Sequence, residues 1–164
     1  IEGNKLYAFI QSGIDSPDLA NDNTSRNANF LRIVEFDIVT KAVTGEYIYP
    51  IFERAQTCDK LGDAVSLGNG KFLVVERDDA TGPNARKYIF EINLFGATNT
   101  FTNPPALGSG KTIENSTYDE LIAANVRPVF KRKAVHLPSI GYDQSDKLDG
   151  LAKINDNTFA SKSF

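Results

Sequence analysis

The residues best suited to chemistry gather in one stretch, DKLGDAVSLGNGKFLVVERDD, at positions 59–79. Asp63 begins one short strand pattern, and Glu76, Arg77 and Asp78 end the next one. A guanidinium binds an oxyanion through two parallel hydrogen bonds, and carboxylates are preferred ligands of hard divalent cations. The stretch therefore combines groups that bind an anion with groups that bind a cation.

Part of this stretch recurs 87 residues later in the chain. The matching segments are Asp59-Lys60-Leu61 with Asp146-Lys147-Leu148, Gly68-Asn69-Gly70 with Asn155-Asp156-Asn157, and Phe72 with Phe159. Asn-Gly accepts the positive φ that a two-residue hairpin turn needs, so Asn69-Gly70 predicts a β-hairpin, and its copy predicts another. A further copy of the second strand opens the chain at Asn4–Phe9.

The segments that follow each hairpin also repeat. Ile33–Ile38 matches Ile89–Leu94, and Val43–Pro50 and Val129–Leu137 are the candidate fourth strands. Antiparallel four-stranded units that recur in this way are typical of β-propeller blades, although a generic β-sandwich is the alternative. We predict an all-β fold: a partial β-propeller of about two to three four-stranded antiparallel blades with long loops.

The repeats also predict how the chain is divided. Residues 1–58 form an incomplete first blade, residues 59–142 a complete blade, and residues 143–164 the start of a third, all within one domain spanning 1–164. A propeller needs about four to eight blades to close. We therefore expect the remaining blades to come from the rest of a longer parent protein or from other chains, and the absence of Met agrees with this expectation.

Charge and hydropathy narrow the classes of partner. The net charge of −3 argues against a nucleic-acid partner, which is bound by neutralising its phosphates. No apolar run approaches the roughly 20 residues needed to span a bilayer. The triplet Lys131-Arg132-Lys133 is predicted to be a charged strand face that guards a sheet edge.

Several of these segments together resemble a known family. GDAVSLGNGKFLVVERDD followed by KYIFEINLFGATNT is similar to the phytase-like domain family, also called "esterase-like activity of phytase". The segments NFLRIVEFDIVTKAVTGEYIYP and KLDGLAKINDNTFA resemble the same family. The resemblance implies an extracellular or periplasmic β-propeller that acts as a calcium-dependent phosphoric ester hydrolase.

On this interpretation the chemistry lies at one end of a central channel, where the innermost strands of the blades meet. Asp149 lies within one residue of the position equivalent to Asp63, so both acids would converge there. The predicted roles are catalysis by Arg77 and Asp63, substrate binding by Lys60, Arg77 and Lys147, and Ca²⁺ binding by Asp63, Glu76, Asp78 and Asp149. A bound cation would polarise the phosphoryl oxygen of a phosphorylated or ester small molecule and activate a water.

Structural roles explain the same residues without chemistry. Asp63 and Asp149 would then cap strand ends or pair with a neighbouring Lys, and Glu76, Arg77 and Asp78 would form an internal charge cluster. The alternative function is a non-catalytic extracellular β-propeller that binds a ligand or a protein partner. The sequence leaves both alternatives open.

Overall fold

The computed structural model describes residues 1–20, 23–51, 60–142, 144–155 and 157–162. Asp59 and Asp156, two positions of the repeat, lie outside these ranges. The described elements are β1 (Lys5–Phe9), α1 (Thr24–Asn27), β2 (Phe30–Asp37), β3 (Ala42–Pro50), β4 (Lys60–Gly68), β5 (Lys71–Arg77), β6 (Lys87–Asn93), α2 (Tyr118–Ala123), β7 (Phe130–His136), a 3₁₀ turn (Leu137–Ile140), β8 (Gly150–Asn155) and β9 (Thr158–Lys162).

The strands form three antiparallel sheets. The first sheet has the order β1-β2-β3, the second sheet β4-β5-β6-β7, and the third sheet is the hairpin β8-β9. The predicted all-β class is confirmed, and within the described ranges the helices are short. None of these sheets closes on itself in the part of the chain that the structure describes, and the propeller and its blade boundaries stay predictions.

The central hairpin joins β4 to β5 through the predicted two-residue turn. Asn69 and Gly70 have φ of 55° and 71°, as a primed turn requires, and Gly68 pairs with Lys71 across it. At the far end of the hairpin, Lys60 lies opposite Arg77. The register shifts twice between the turn and this pair, between Leu61 and Ala64 and between Ser66 and Gly68, so the turn and these two irregularities together place the two cationic residues side by side.

One face of β5 packs against the first sheet. Phe72 and Val74 are buried in a core that includes Ile33. The ring of Phe72 makes edge contacts with Tyr7 and Phe9, with centroid distances of 5.0 and 5.2 Å. These contacts stabilise the first and second sheets against each other.

The opposite face of β5 packs against the third sheet. Val75 shares a core with Leu148 and Leu151, and Phe159 of β9 packs against the same core. The strands β4 and β8 approach so closely that a Cβ at Gly62 would lie 2.1 Å from the carbonyl oxygen of Leu148. The second sheet thus lies between the other two, and the backbone of β4 touches the segment that leads into β8.

The long connection from β6 to β7 contains α2, at the place where Asp119 and Glu120, two acids suited to a helix N-terminus, predict two helical turns over Tyr118–Ala124. A capping box holds its start, in which Glu120 N–H donates to Thr117 Oγ1 at 3.2 Å and Thr117 N–H donates to Glu120 Oε2 at 2.7 Å. Leu121 anchors the helix in a core with Ile48. Among the described residues, no helix has the length and apolar character that crossing a membrane requires.

Strand β7 is an edge strand, as the charge triplet predicted. Arg132 is exposed and pairs with Glu91, and Lys133 Nζ lies 4.2 Å from the centroid of the Tyr88 ring. Lys131 differs from the expectation, because its side chain is only 10% exposed and turns inward. A long aliphatic stem lets a lysine buried along an apolar surface place its ammonium on an internal partner.

Candidate functional site

Strand β5 ends with two charged residues that face opposite sides of the second sheet. Glu76 bonds to Tyr49 of the first sheet, whereas Arg77 bonds to Asp149 beside the third sheet. Successive side chains of a strand point to opposite faces, so this separation follows from their adjacency in the sequence. Glu76 and Arg77 therefore belong to two different clusters.

The open cluster consists of Lys60, Arg77, Asp79 and Asp149. Arg77 Nε donates to Asp149 Oδ1 at 3.0 Å, and its Nη2 lies 2.8 Å from the same oxygen in an ion pair. Its third donor, Nη1, bonds Asp79 Oδ1 at 2.6 Å. The Arg77 side chain is only 6% exposed, and these bonds hold its guanidinium from two sides.

Lys60 completes the open cluster from strand β4. Its Nζ lies 2.6 Å from Asp79 Oδ2, so Asp79 bridges the two cations with its two oxygens. The Asp79 side chain is 59% exposed, which makes it the solvent side of the cluster. The hydrogen bond from Lys60, with a second from Arg77, holds the pKa of Asp79 below its ordinary value.

Asp63 ties strand β4 to strand β8. Its Oδ2 accepts the N–H of Leu151 at 2.8 Å, and its Oδ1 accepts the N–H of Ala64 at 2.7 Å. Leu151 follows Asp149 by two residues, so Asp63 holds the segment that carries an acid of the open cluster. The structure places Asp63 next to this segment, with both carboxylate oxygens engaged by backbone donors.

The sealed cluster consists of Tyr49, Glu76 and Lys131. The Glu76 and Tyr49 side chains are fully buried, and Tyr49 Oη donates to Glu76 Oε1 at 2.5 Å. Lys131 pairs with the same oxygen and donates to the carbonyl of Pro50 at 2.9 Å. Its ammonium also lies 4.0 Å from the centroid of the Phe90 ring. This carboxylate lies between the first and second sheets, away from the open cluster.

Asp78 closes the loop between β5 and β6. Its carboxylate accepts the Arg86 N–H at 3.0 Å and lies 3.3 Å from Nζ of the buried Lys87. Lys87 also donates to the carbonyl of Ala80 at 2.7 Å. These bonds make Asp78 part of the loop's own framework.

Lys147 lies on the surface, two residues before Asp149. Its backbone N–H donates to Ser145 Oγ at 3.1 Å, and Ser145 Oγ donates to the Lys147 carbonyl at 2.6 Å. Within the described ranges, its ammonium makes no hydrogen bond or ion pair. The predicted substrate-binding role of Lys147 therefore stays a prediction.

The four carboxylates predicted to bind calcium do not form one ligand set. Glu76 is in the sealed cluster, Asp78 in the β5–β6 loop, and Asp63 and Asp149 near the start of β8. Among residues 1–20, 23–51, 60–142, 144–155 and 157–162, no three acidic, His or Cys side chains group in a way that suits a metal ion. Only Asp63 and Asp149 are brought to one region.

Three residues of these clusters were not predicted to belong to a functional site: Asp79, Tyr49 and Lys131. Asp79 directly follows the predicted Glu76-Arg77-Asp78 segment, and this adjacency was the available signal. Tyr49 and Lys131 reach Glu76 from other strands, which no local pattern indicates. His136, by contrast, has a structural contact: its Nε2 lies 3.0 Å from the Ala85 carbonyl oxygen.

Comparison with known proteins gives one finding. No curated protein and no solved structure matches the chain. The phytase-like family model, described as "esterase-like activity of phytase", matches residues 2–161. With nearly its whole length covered, the chain belongs to the phytase-like family, which supports a hydrolase of the phytase- or esterase-like kind.

Proposed function

We propose that this protein hydrolyses phosphoric esters and binds the phosphate group at the open cluster. The observation that carries the proposal is the convergence of Arg77 Nη1 and Lys60 Nζ on one solvent-facing carboxylate, each at 2.6 Å. Two cations directed at one exposed position form an anion site. Family membership supports ester hydrolysis as the reaction class.

The fixed position of Arg77 favours binding of a phosphate over binding of a neutral group. Two of its donors are held by Asp149, and the third points toward the exposed side. The guanidinium is therefore already oriented before a substrate arrives. Such preorganised donors stabilise negative charge as it develops on the phosphoryl oxygens.

Asp149 is the group we propose as general base. Its Oδ1 accepts both bonds from Arg77, and its Oδ2 has no hydrogen-bond partner among the described residues. In the proposed step, a water oxygen forms a bond to phosphorus while the bond from phosphorus to the ester oxygen breaks. Asp149 orients this water and takes its proton, and the leaving alkoxide takes a proton from solvent.

Calcium dependence is a separate part of the proposal. Calcium takes six to eight oxygen ligands, and the four predicted carboxylates are instead spread over the two clusters, a loop and the backbone of β8. The described residues therefore do not supply a complete calcium site, and no step is assigned to the cation. Loss of turnover in the presence of a chelator, and its recovery with added calcium, would support the dependence.

We also propose that the three sheets are neighbouring blades of a β-propeller in an extracellular or periplasmic protein. Phe72 and Phe159, equivalent in the sequence repeat, each pack toward the preceding sheet. The open cluster would then lie at the seam between two blades. Fractionation of cells that express the whole protein tests the location, and a cytoplasmic position would contradict it.

The experiment that tests the function measures turnover by the intact protein. The substrates are 4-nitrophenyl phosphate and 4-nitrophenyl acetate, which differ in the ester that is cleaved. We expect hydrolysis of the phosphate ester and its loss in Arg77→Ala, while the control Arg132→Ala, which changes an exposed arginine on the edge strand, keeps full activity. Cleavage of the acetate alone, or equal turnover by Arg77→Ala, would contradict phosphate ester hydrolysis at this cluster.

A second candidate function is non-catalytic binding of a ligand or protein partner. The observation that favours it is the position of Asp63, whose two oxygens accept backbone N–H groups and which therefore serves the structure of the β4–β8 seam. Binding of a phosphate at the open cluster without turnover of any ester would select this alternative.

A further inference from the structure

We infer that Asp79 is an internal stand-in for the anionic group of the substrate, and that a dianionic phosphate displaces it. The inference rests on the proposed function for the identity of the ligand, but anion binding itself can be measured without catalysis. The inference assigns to Asp79 the control of phosphate affinity, and it narrows the proposed substrate class to phosphomonoesters.

The geometry of Asp79 is the first support. Its Oδ1 accepts from Arg77 Nη1 and its Oδ2 from Lys60 Nζ, both at 2.6 Å. A carboxylate that spans two cations with two oxygens occupies the place where two oxygens of a phosphate would bind. Both anions use the same charge-assisted hydrogen bonds from the same donors.

The weak attachment of Asp79 is the second support. It lies in the loop after β5, its side chain is 59% exposed, and its only described bonds are those to the two cations. Arg77, in contrast, is held by Asp149 and by strand pairing with Lys60 and Lys87. Because Asp149 holds Arg77 and no described residue other than the two cations holds the Asp79 carboxylate, Asp79 can leave while the Arg77 guanidinium keeps its position.

The charge of the cluster sets the class of ligand. With Asp79 in place, two cations balance two carboxylates. Without the Asp79 carboxylate, the charges of the other three residues of the open cluster, Lys60, Arg77 and Asp149, sum to one net positive charge. A dianionic monoester meets a stronger attraction there than a singly charged diester, since the interaction scales with the product of the charges.

The test is the binding of inorganic phosphate to the intact protein by isothermal titration calorimetry at a pH where phosphate is mainly a dianion. We expect Asp79→Asn to bind phosphate about tenfold more tightly than the wild type, because the competing charge is removed. The matched control Asp119→Asn removes one exposed carboxylate at the start of α2 and leaves the affinity unchanged. Equal or weaker binding by Asp79→Asn would overturn the inference.

Two further measurements locate the site and define the class of anion. Adding Arg77→Ala to Asp79→Asn should abolish phosphate binding, and binding that persists would place it elsewhere and contradict the inference. Methyl phosphate should compete with inorganic phosphate, whereas dimethyl phosphate, a monoanion, should compete poorly. Equal competition by the two would contradict the preference for monoesters.

The inference and the proposed function fail in different ways. If Asp79→Asn binds phosphate more tightly but the protein turns over no ester, the inference about Asp79 is supported and the proposed hydrolase function is contradicted. If turnover depends on Arg77 but Asp79→Asn leaves the phosphate affinity unchanged, the proposed hydrolase function is supported and the inference about Asp79 is contradicted.

Discussion

Two neighbouring residues of one strand begin two very different ionic clusters. Glu76 is completely buried between the first and second sheets, where a tyrosine and an inward-turned lysine bind it. Arg77 faces the third sheet, and its cluster reaches solvent through Asp79. Both clusters combine acidic with basic side chains, but the carboxylate of one is sealed from solvent and that of the other is exposed to it.

The difference shows that charge in a sequence does not by itself mark a site. The buried Glu76 carboxylate is bound by Tyr49 and Lys131 and is shielded from solvent, and removal of one partner of such a pair leaves a charge in a poor solvent. An exposed bridge is weak, so a ligand of higher charge can replace one member. The sealed cluster should therefore govern stability, and the open cluster should govern binding.

The largest effect on stability is expected from Lys131→Ala. Because it removes the ammonium that pairs with the buried Glu76 carboxylate, we expect the free energy of unfolding to fall by about 3–5 kcal/mol, measured by urea denaturation. Lys133→Ala on the same strand is the control, and loss of its contact with the Tyr88 ring should cost only about 0.5–1 kcal/mol. Similar losses in the two variants would break the distinction between the clusters.

The next largest effect is a loss of activity, which we expect in the Arg77→Lys variant. Lysine keeps the charge, but its single ammonium cannot reproduce the bonds from Nε, Nη1 and Nη2 to two carboxylates. We expect kcat/KM for a phosphomonoester to fall about 100- to 1000-fold, as for loss of one preorganised donor. The control Arg132→Lys should leave kcat/KM unchanged. Unchanged turnover by Arg77→Lys would show that the guanidinium hydrogen bonds to the two carboxylates are not needed.

A smaller effect is expected from Gly62→Ala, which changes the seam beside the open cluster without changing any charge. Its new Cβ would meet the Leu148 carbonyl oxygen at 2.1 Å, so the backbones of β4 and the segment before β8 must separate. We expect a loss of about 1–3 kcal/mol in unfolding free energy, as for overpacking.

Activity should fall in the same variant, because Asp149 adjoins Leu148 in the chain. Gly108→Ala is the control, since the nearest atom to its Cβ would be 3.9 Å away. A stable and fully active Gly62→Ala protein would show that the seam does not position the cluster.

The smallest effect is the pH dependence of the Asp79 bridge. The pKa of Asp79 is lowered from 3.8 by the hydrogen bond from Lys60 and then by that from Arg77, so the folded state favours the charged form. Its stabilisation is therefore present above the ordinary pKa and is lost as the pH falls through the lowered one. For so exposed a group we expect only about 0.2–1 kcal/mol.

This dependence is measured as the difference in unfolding free energy between the wild type and Asp79→Asn. The difference should be constant near neutral pH and shrink below about pH 4, as the carboxylate is protonated. A difference that grows on acidification would contradict the direction of the shift.

Much of the fold follows from local patterns. Asn69-Gly70 predicts its own turn, and Asp119 and Glu120 predict the start of α2, because in each case the interacting groups lie within a few residues. The alternation along β5 also predicts that Glu76 and Arg77 face opposite sides of the sheet. The prediction that placed Glu76 and Arg77 in one site did not take account of this alternation, which puts adjacent residues on opposite faces.

The contacts between sheets could not be predicted from the sequence. Lys131 belongs to a triplet that indicates an exposed edge, and only the packing of the first sheet against the second explains why it turns inward. The ion pair between Asp149 and Arg77 similarly depends on the close approach of β4 and the segment before β8. The repeat predicted that these strands would neighbour each other, but not which side chains would bond.

The two-residue turn at Asn69-Gly70 has a consequence for tolerance to insertions and deletions. Losing a single residue between this turn and Glu76 would exchange the two faces of β5, because side chains alternate with a period of two. A guanidinium would then enter the dry space beside Tyr49, and a carboxylate would confront Asp149. Natural variation in chain length should therefore be rarer in this hairpin than in the long connection between β6 and β7, where no such inversion of polarity follows.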